Sequence, residues 1–156
     1  MEGAGILAGI SALRSGGGKI FWASNTDKLQ RPPELIHIDP TIDSIKASID
    51  KNMSTAIIGP GLGRNFDKEI EFLWNSKFNI VLDADGLDWL SRKKPKKRAA
   101  AWVGTPHIGE MQKLLKDDFS DKWSNITKLK KHYGGDWILK GPGTLVSENS
   151  KIWLNL

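Results

Sequence analysis

Short apolar runs recur along this chain, and four of them empty into loops built from glycine, aspartate or histidine. In order, Thr55-Ala56-Ile57-Ile58 precedes Gly59-Pro60-Gly61-Leu62-Gly63, and Ile80-Val81-Leu82 precedes Asp83-Ala84-Asp85-Gly86. A run over 99–103 then precedes Gly104-Thr105-Pro106-His107, and Trp137-Ile138-Leu139 precedes Lys140-Gly141-Pro142-Gly143-Thr144. Runs of this length, bounded by turn residues and followed by stretches of helical spacing, specify buried strands alternating with helices. Such alternation builds a mostly parallel sheet covered on both faces, with ligand loops gathered at the carboxyl ends of its strands. The expected fold class is therefore three-layer α/β, with an antiparallel edge made by a tight turn at 147–151. A chain of 156 residues suffices for one domain with a core of this kind.

The periodicity predicts helices over 3–14, 41–51, 65–74, 111–116 and 123–133, and another beginning within 86–91. In the first, Ile6, Leu7, Ile10 and Leu13 follow the spacing of one buried face. Thr105 is placed to cap the helix at 111–116, with Pro106 in its first turn. Further strands are expected at 19–23 and 35–38, with His37 as a strand-face histidine among apolar neighbours.

The absence of cysteine excludes disulfides and thiolate metal sites and fits a reducing compartment. No apolar run reaches spanning length and the first residues lack a signal-peptide pattern, so a soluble cytoplasmic protein without a membrane partner is expected. The net charge of +5 is concentrated in Arg92, Lys93, Lys94, Lys96, Lys97 and Arg98, and without these six the chain is close to neutral. No basic face extends along it, so a nucleic-acid partner is not expected. The cluster itself reads as an exposed, poorly packed loop.

Glycines at a strand exit let the backbone approach a ligand, and free N–H groups with a lysine and a hydroxyl suit phosphate oxygens. Residues 140–144 carry all of these, although a plain hairpin with a lysine in its loop has the same pattern. Asp83 and Asp85 are placed to orient a magnesium-bound phosphate or a sugar hydroxyl, and Asp85 equally suits a helix cap. His107 stands at a strand exit among polar residues and reads as a substrate contact. The small residues Gly3, Ala4 and Gly5 permit either close packing or a phosphate neighbour. The spacings match neither the dinucleotide fingerprint nor a Walker loop.

Gly-Pro-Gly-Leu-Gly at 59–63, Leu-Asp-Ala-Asp-Gly-Leu at 82–87, Thr-Pro-His-Ile-Gly-Glu at 105–110 and Leu-Lys-Gly-Pro-Gly-Thr at 139–144 together resemble the ADP/ATP-dependent (S)-NAD(P)H-hydrate dehydratases, of the ribokinase-like superfamily. The resemblance covers essentially all of 1–156, read as a single partial ribokinase-like domain. It implies a lyase of cofactor repair: the S epimer of NAD(P)H hydrate returns to NAD(P)H while ADP or ATP is consumed. The ring hydroxyl would be phosphorylated before phosphate leaves. It further implies that Ala4, Gly61, Gly63 and His107 contact the hydrated dinucleotide. Lys140, Gly141, Pro142, Gly143 and Thr144 would hold the adenine nucleotide phosphates, with Mg2+ accompanying them.

Ile108 and Pro142 depart from the family's proline and alanine, and Pro142 removes a backbone donor from the phosphate loop. The family's first strand, and its Gly-Asn-x-Gly-Met-Ala and Gly-x-Gly-Asp segments, have no counterpart here. That aspartate is the family's base, and its place is expected beyond Leu156. No catalytic residue is therefore expected within 1–156, and the incomplete domain is expected to lack turnover alone. An uncovered core face and sheet edge would favour a homo-oligomer. Two other classes share the pattern. One is a related kinase such as hydroxyethylthiazole kinase, whose similar motif has asparagine at the place of His107. The other is a non-catalytic nucleotide-binding module.

Overall fold

A computed structural model describes residues 3–25, 31–49, 53–116 and 121–155. Two parallel strands, β1 (Ile20–Ala23) and β2 (Leu35–Ile38), pair with Ile20 opposite Leu35. They form a small sheet separate from the main one, where a single alternating sheet was expected. Helix α1 (Gly3–Arg14) packs on this pair through Ile6, Trp22 and Leu35. Leu7 departs from the predicted face and lies 67% exposed, because the sheet beneath α1 is only two strands wide. His37 is the strand-face histidine expected: its Nε2 lies 2.9 Å from Ser24 O and its ring packs against Trp22.

The main sheet has the order β3 (Thr55–Ile58), β4 (Asn79–Leu82), β5 (Trp102–Gly104), β6 (Asp136–Leu139), β7 (Thr144–Glu148), β8 (Lys151–Asn155). Neighbours from β3 to β6 are parallel, and β6–β7 and β7–β8 are antiparallel. This is the mostly parallel sheet with an antiparallel edge that the pattern predicts. Strand β8 closes one edge with Trp153 and Leu154 exposed.

Helices α2 (Ile42–Ser48), α3 (Asp67–Trp74), α4 (Ala84–Lys93), α5 (Ile108–Leu115) and α6 (Lys122–Tyr133) alternate with the strands or follow one another before β6. The predicted extension of α2 to 51 falls partly outside the described residues. None of the helices is long and apolar enough to cross a membrane, among the described residues.

The core runs through Ile58, Ile80, Leu82, Leu87, Trp137 and Leu139. A file of tryptophans crosses it: Trp74 meets Trp89 and Trp102, and Trp102 meets Trp137, with ring centroids 5.0 to 5.6 Å apart. Tilted and edge-on contacts of this kind let the rings bury large areas without opposing their π faces.

The basic cluster is not the loose loop expected. Arg98 is half-buried and donates to the carbonyls of Trp74, Ser76 and Phe78, where α3 ends, with its guanidinium 5.5 Å from the Trp74 ring. Burial of that guanidinium lowers its pKa from the ordinary arginine value. Helix ends leave carbonyls without intrahelical partners, and a five-donor fork satisfies several at once. Arg92 is likewise engaged, by Asp67 and Asp88, Lys93 pairs with Asp67, and Lys97 donates to Lys131 O.

Candidate functional site

Four parallel strands end side by side, and the hydrogen-bond ladder continues into their loops. Asp83 N–H donates to Ile58 O, Thr105 N–H to Leu82 O and Lys140 N–H to Pro106 O, at 3.0, 3.0 and 2.8 Å. His107 and Lys140 form a further parallel bridge. The exits after β3, β4, β5 and β6 are thereby stitched into one rim, at the strand ends where α/β sheets place their ligands.

Local chemistry explains each loop. Gly59 has a φ of +115°, and a Cβ there would fall 1.8 Å from Asp83 O, so only glycine lets β3 turn this close to β4. Asp85 Oδ2 then accepts the Gly63 N–H at 2.8 Å, tying the glycine loop to the first turn of α4. Asp85 is therefore a cross-loop brace and not the cap of α4. The cap position belongs to Asp83, whose side chain makes no capping bond. Its Oδ1 accepts instead from Lys140 Nζ at 2.8 Å, across 57 residues of chain. One oxygen of each carboxylate is thus committed within the protein.

His107 has a structural task that sequence spacing did not assign. It is the N-cap of α5, and its Nδ1 accepts from Gly109 N–H at 3.0 Å and Glu110 N–H at 3.3 Å. Glu110 Oε2 returns the bond to His107 N–H at 2.8 Å, completing a capping box. Thr105, the expected cap, lies two residues too early, and its Oγ1 reaches only Leu82 O at 3.5 Å. With Nδ1 accepting two backbone bonds, the network assigns the ring proton to Nε2, leaving that atom as a donor.

The loop at 140–144 is a hairpin between β6 and β7, so the plainer reading of its backbone is also correct. Thr144 Oγ1 donates to Gly141 O at 2.9 Å, and Lys122 Nζ donates to Pro142 O and Gly143 O. A lysine at the start of α6 thus holds the outer carbonyls of the loop.

A cleft of about 220 Å³ opens between the first turns of α4 and α5. Asp85 and Asp88 face it from α4, Glu110 and Lys113 from α5, with His107 at the α5 cap and Arg64 from the loop after β3. Of the expected dinucleotide contacts, His107 lines this cleft and Gly63 is joined to it through Asp85. Ala4 sits in the first turn of α1, beside Gly5, where a Cβ would fall 3.4 Å from Pro60 O. The first turn of α1 therefore adjoins the loop that carries Gly61. Among the described residues no three His, Cys, Asp or Glu side chains converge as a metal site. Asp83 Oδ1 and Asp85 Oδ2 are engaged by Lys140 and Gly63.

Arg64, Lys113 and Lys122 were not singled out by spacing. Arg64 directly follows the glycine loop, which is a usable signal. The two lysines gain their places only from the packing of α5 and α6.

A mostly parallel α/β sheet with its glycine and acid loops on one carboxyl rim is the frame of ribokinase-like proteins. A ribokinase-like superfamily protein of Enterococcus faecalis superposes with a TM-score of 0.85 at 19% identity, covering 99% of this chain and 58% of that one. An ADP/ATP-dependent NAD(P)H-hydrate dehydratase of Bacillus subtilis, co-crystallized with ATP/Mg2+ and soaked with CoA, gives 0.79 at 25% identity over 99% of this chain and 61% of its own.

The family model for NAD(P)H-hydrate dehydratase matches residues 1–156, and the chain belongs to that family. It is 32% identical to the bifunctional NAD(P)H-hydrate repair enzyme Nnr of Escherichia coli, over 90% of this chain and 29% of that protein. It is 30% identical to the ADP-dependent (S)-NAD(P)H-hydrate dehydratase of Listeria monocytogenes, over 99% of this chain and 58% of that protein. The chain thus spans about a third of the bifunctional relatives and somewhat over half of the single-activity one.

Proposed function

We propose that this chain serves the dehydration of (S)-NAD(P)H hydrate at the expense of ADP or ATP, with the hydrated dinucleotide and the adenine nucleotide meeting on the rim of β3 to β6. The carrying observation is the stitched rim itself: all four motif loops emerge from adjacent parallel strands, and the Lys140–Asp83 pair spans from β6 to β4. Family membership supports the reaction class.

In this reading His107 presents Nε2–H to the dinucleotide while its other nitrogen stays committed to α5. Ala4, Gly61 and Gly63 give close backbone approach beside it. Lys140 meets nucleotide phosphates as a point charge already aimed by Asp83, and Gly141, Pro142, Gly143 and Thr144 supply the turn around them. Mg2+ would arrive with the phosphates, since such ions keep few protein ligands.

The test is thermal protection by ADP, because a ligand that binds only the folded chain raises its melting temperature by mass action. ADP should protect the chain, and Lys140→Ala should abolish the protection while leaving the unliganded melting temperature within a few degrees. Equal protection in the variant would reduce residues 140–144 to an ordinary hairpin.

A further inference from the structure

The cleft between α4 and α5 contains as many carboxylates as cationic or imidazole side chains, yet the two sets are not in the same state. Each carboxylate has its donor. Asp85 takes the Gly63 N–H, Asp88 takes Arg92 Nε and Glu110 takes the His107 N–H, each at 2.8 Å. Arg64 and Lys113 line the same cleft, and among the described residues neither side chain has a hydrogen bond or ion pair. His107 Nε2 adds a donor, 3.6 Å from the already engaged Glu110. The donors of this cleft that lack a partner among the described residues are therefore Arg64, Lys113 and His107 Nε2–H, while Asp85 and Glu110 each have one oxygen engaged by a backbone amide. A guanidinium and an ammonium lining one cleft suit a group with several anionic oxygens, which a phosphate is and a neutral ring is not.

Two further observations narrow the ligand. None of the residues 140–144 lines this cleft, so its anion is not the one held by the loop after β6. At about 220 Å³ the cleft is also smaller than pockets that enclose whole drug-sized ligands, so it takes one end of an extended molecule.

We infer that Arg64 and Lys113 form a phosphate subsite for the hydrated dinucleotide, separate from the nucleotide loop. The inference rests on the dinucleotide reading proposed above. The phosphate has two sources: the bridging pyrophosphate, common to both cofactors, and the 2′-phosphate, which only NADPH hydrate carries.

The experiment is calorimetric titration of the 156-residue chain with NADPH hydrate, NADH hydrate and ADP, repeated on Arg64→Gln, Lys113→Gln and the double variant. Near-UV circular dichroism of the tryptophans controls for folding, and both residues are exposed. The double variant should lose about tenfold or more in affinity for the hydrates, as expected for charge-assisted bonds, and keep its ADP affinity. Loss for both hydrates assigns the subsite to the pyrophosphate; loss for NADPH hydrate alone assigns it to the 2′-phosphate. The wild-type affinity should weaken with added salt more steeply than that of the double variant. Unchanged hydrate binding in the double variant overturns the inference and leaves the function standing. A wild-type chain that binds ADP but neither hydrate overturns both, as does an ADP affinity that falls in step with the hydrates in a folded variant.

Discussion

At the scale of single residues, His107 caps α5, and the dinucleotide contact proposed for it is a second task that substitution can separate. Its Nδ1 makes the cap, and the residue lines the cleft with Nε2 3.6 Å from Glu110 Oε2. Removing a good N-cap costs about 1 kcal/mol. His107→Ala should therefore lower both the stability of the chain and its affinity for hydrated dinucleotide. His107→Asn restores a side-chain acceptor for the helix but cannot extend a donor as far. It should recover most of the stability in urea titrations while hydrate affinity stays depressed. Recovery of both together would mean that the imidazole is only a cap. The asparagine variant also carries the residue of the thiazole-kinase form of this motif, so its ligand preference bears on that reading.

Among the elements, α3 and α4 are joined end to end by charge. Asp67 lies in the first turn of α3, and Arg92 and Lys93 lie in the last turn of α4, each sign where the helix dipole favours it. Arg92 grips both Asp67 oxygens, at 2.9 and 3.2 Å, and Lys93 reaches one at 3.0 Å. The Arg92 and Lys93 hydrogen bonds pull the Asp67 pKa down from 3.8 to about 2, and Asp67 in turn raises that of Arg92. A carboxyl depressed on folding contributes stability that is complete above its unfolded pKa and is lost as pH falls through its folded one. Melting temperature should therefore drop between about pH 4 and pH 2, and Asp67→Asn should flatten that part of the profile. Because Asp67 is about a third exposed and Arg92 nearly half, solvent and salt screen the pair, and the drop should shrink in high salt. An identical acid limb in the variant would assign the loss to other carboxylates.

For the whole molecule, the tryptophan file decides rigidity. Trp137 is fully buried, its indole N–H donates to Gly134 O at 2.9 Å, and its ring packs on Trp102 and Tyr133. Phe or Trp to Ala changes in a packed core cost about 3–5 kcal/mol. Against a net stability of about 5–15 kcal/mol, that is a large share. Trp137→Ala should shift the urea midpoint downward by that amount or leave the chain unfolded. A shift below about 1 kcal/mol would show that the site collapses around the loss.

By itself the sequence determined the alternation of strands and helices, the parallel sheet with its antiparallel edge, and the four loops that carry the family motifs. Those features are local: period, length and turn chemistry act within a few residues of one another, so they survive in a one-dimensional reading. The partners of side chains are not local. Asp83 reaches Lys140 across 57 positions and Asp85 reaches Gly63 across 22, so neither brace has a spacing to betray it. Arg98 looked like one more solvated charge until α3 ended against it, and Leu7 looked buried until the sheet beneath α1 proved two strands wide. Tertiary structure alone decided which charges are spent within the protein and which, like Arg64 and Lys113, are left facing the cleft. A charge is committed by the nearest opposite group in space, and chain order does not say which group that is.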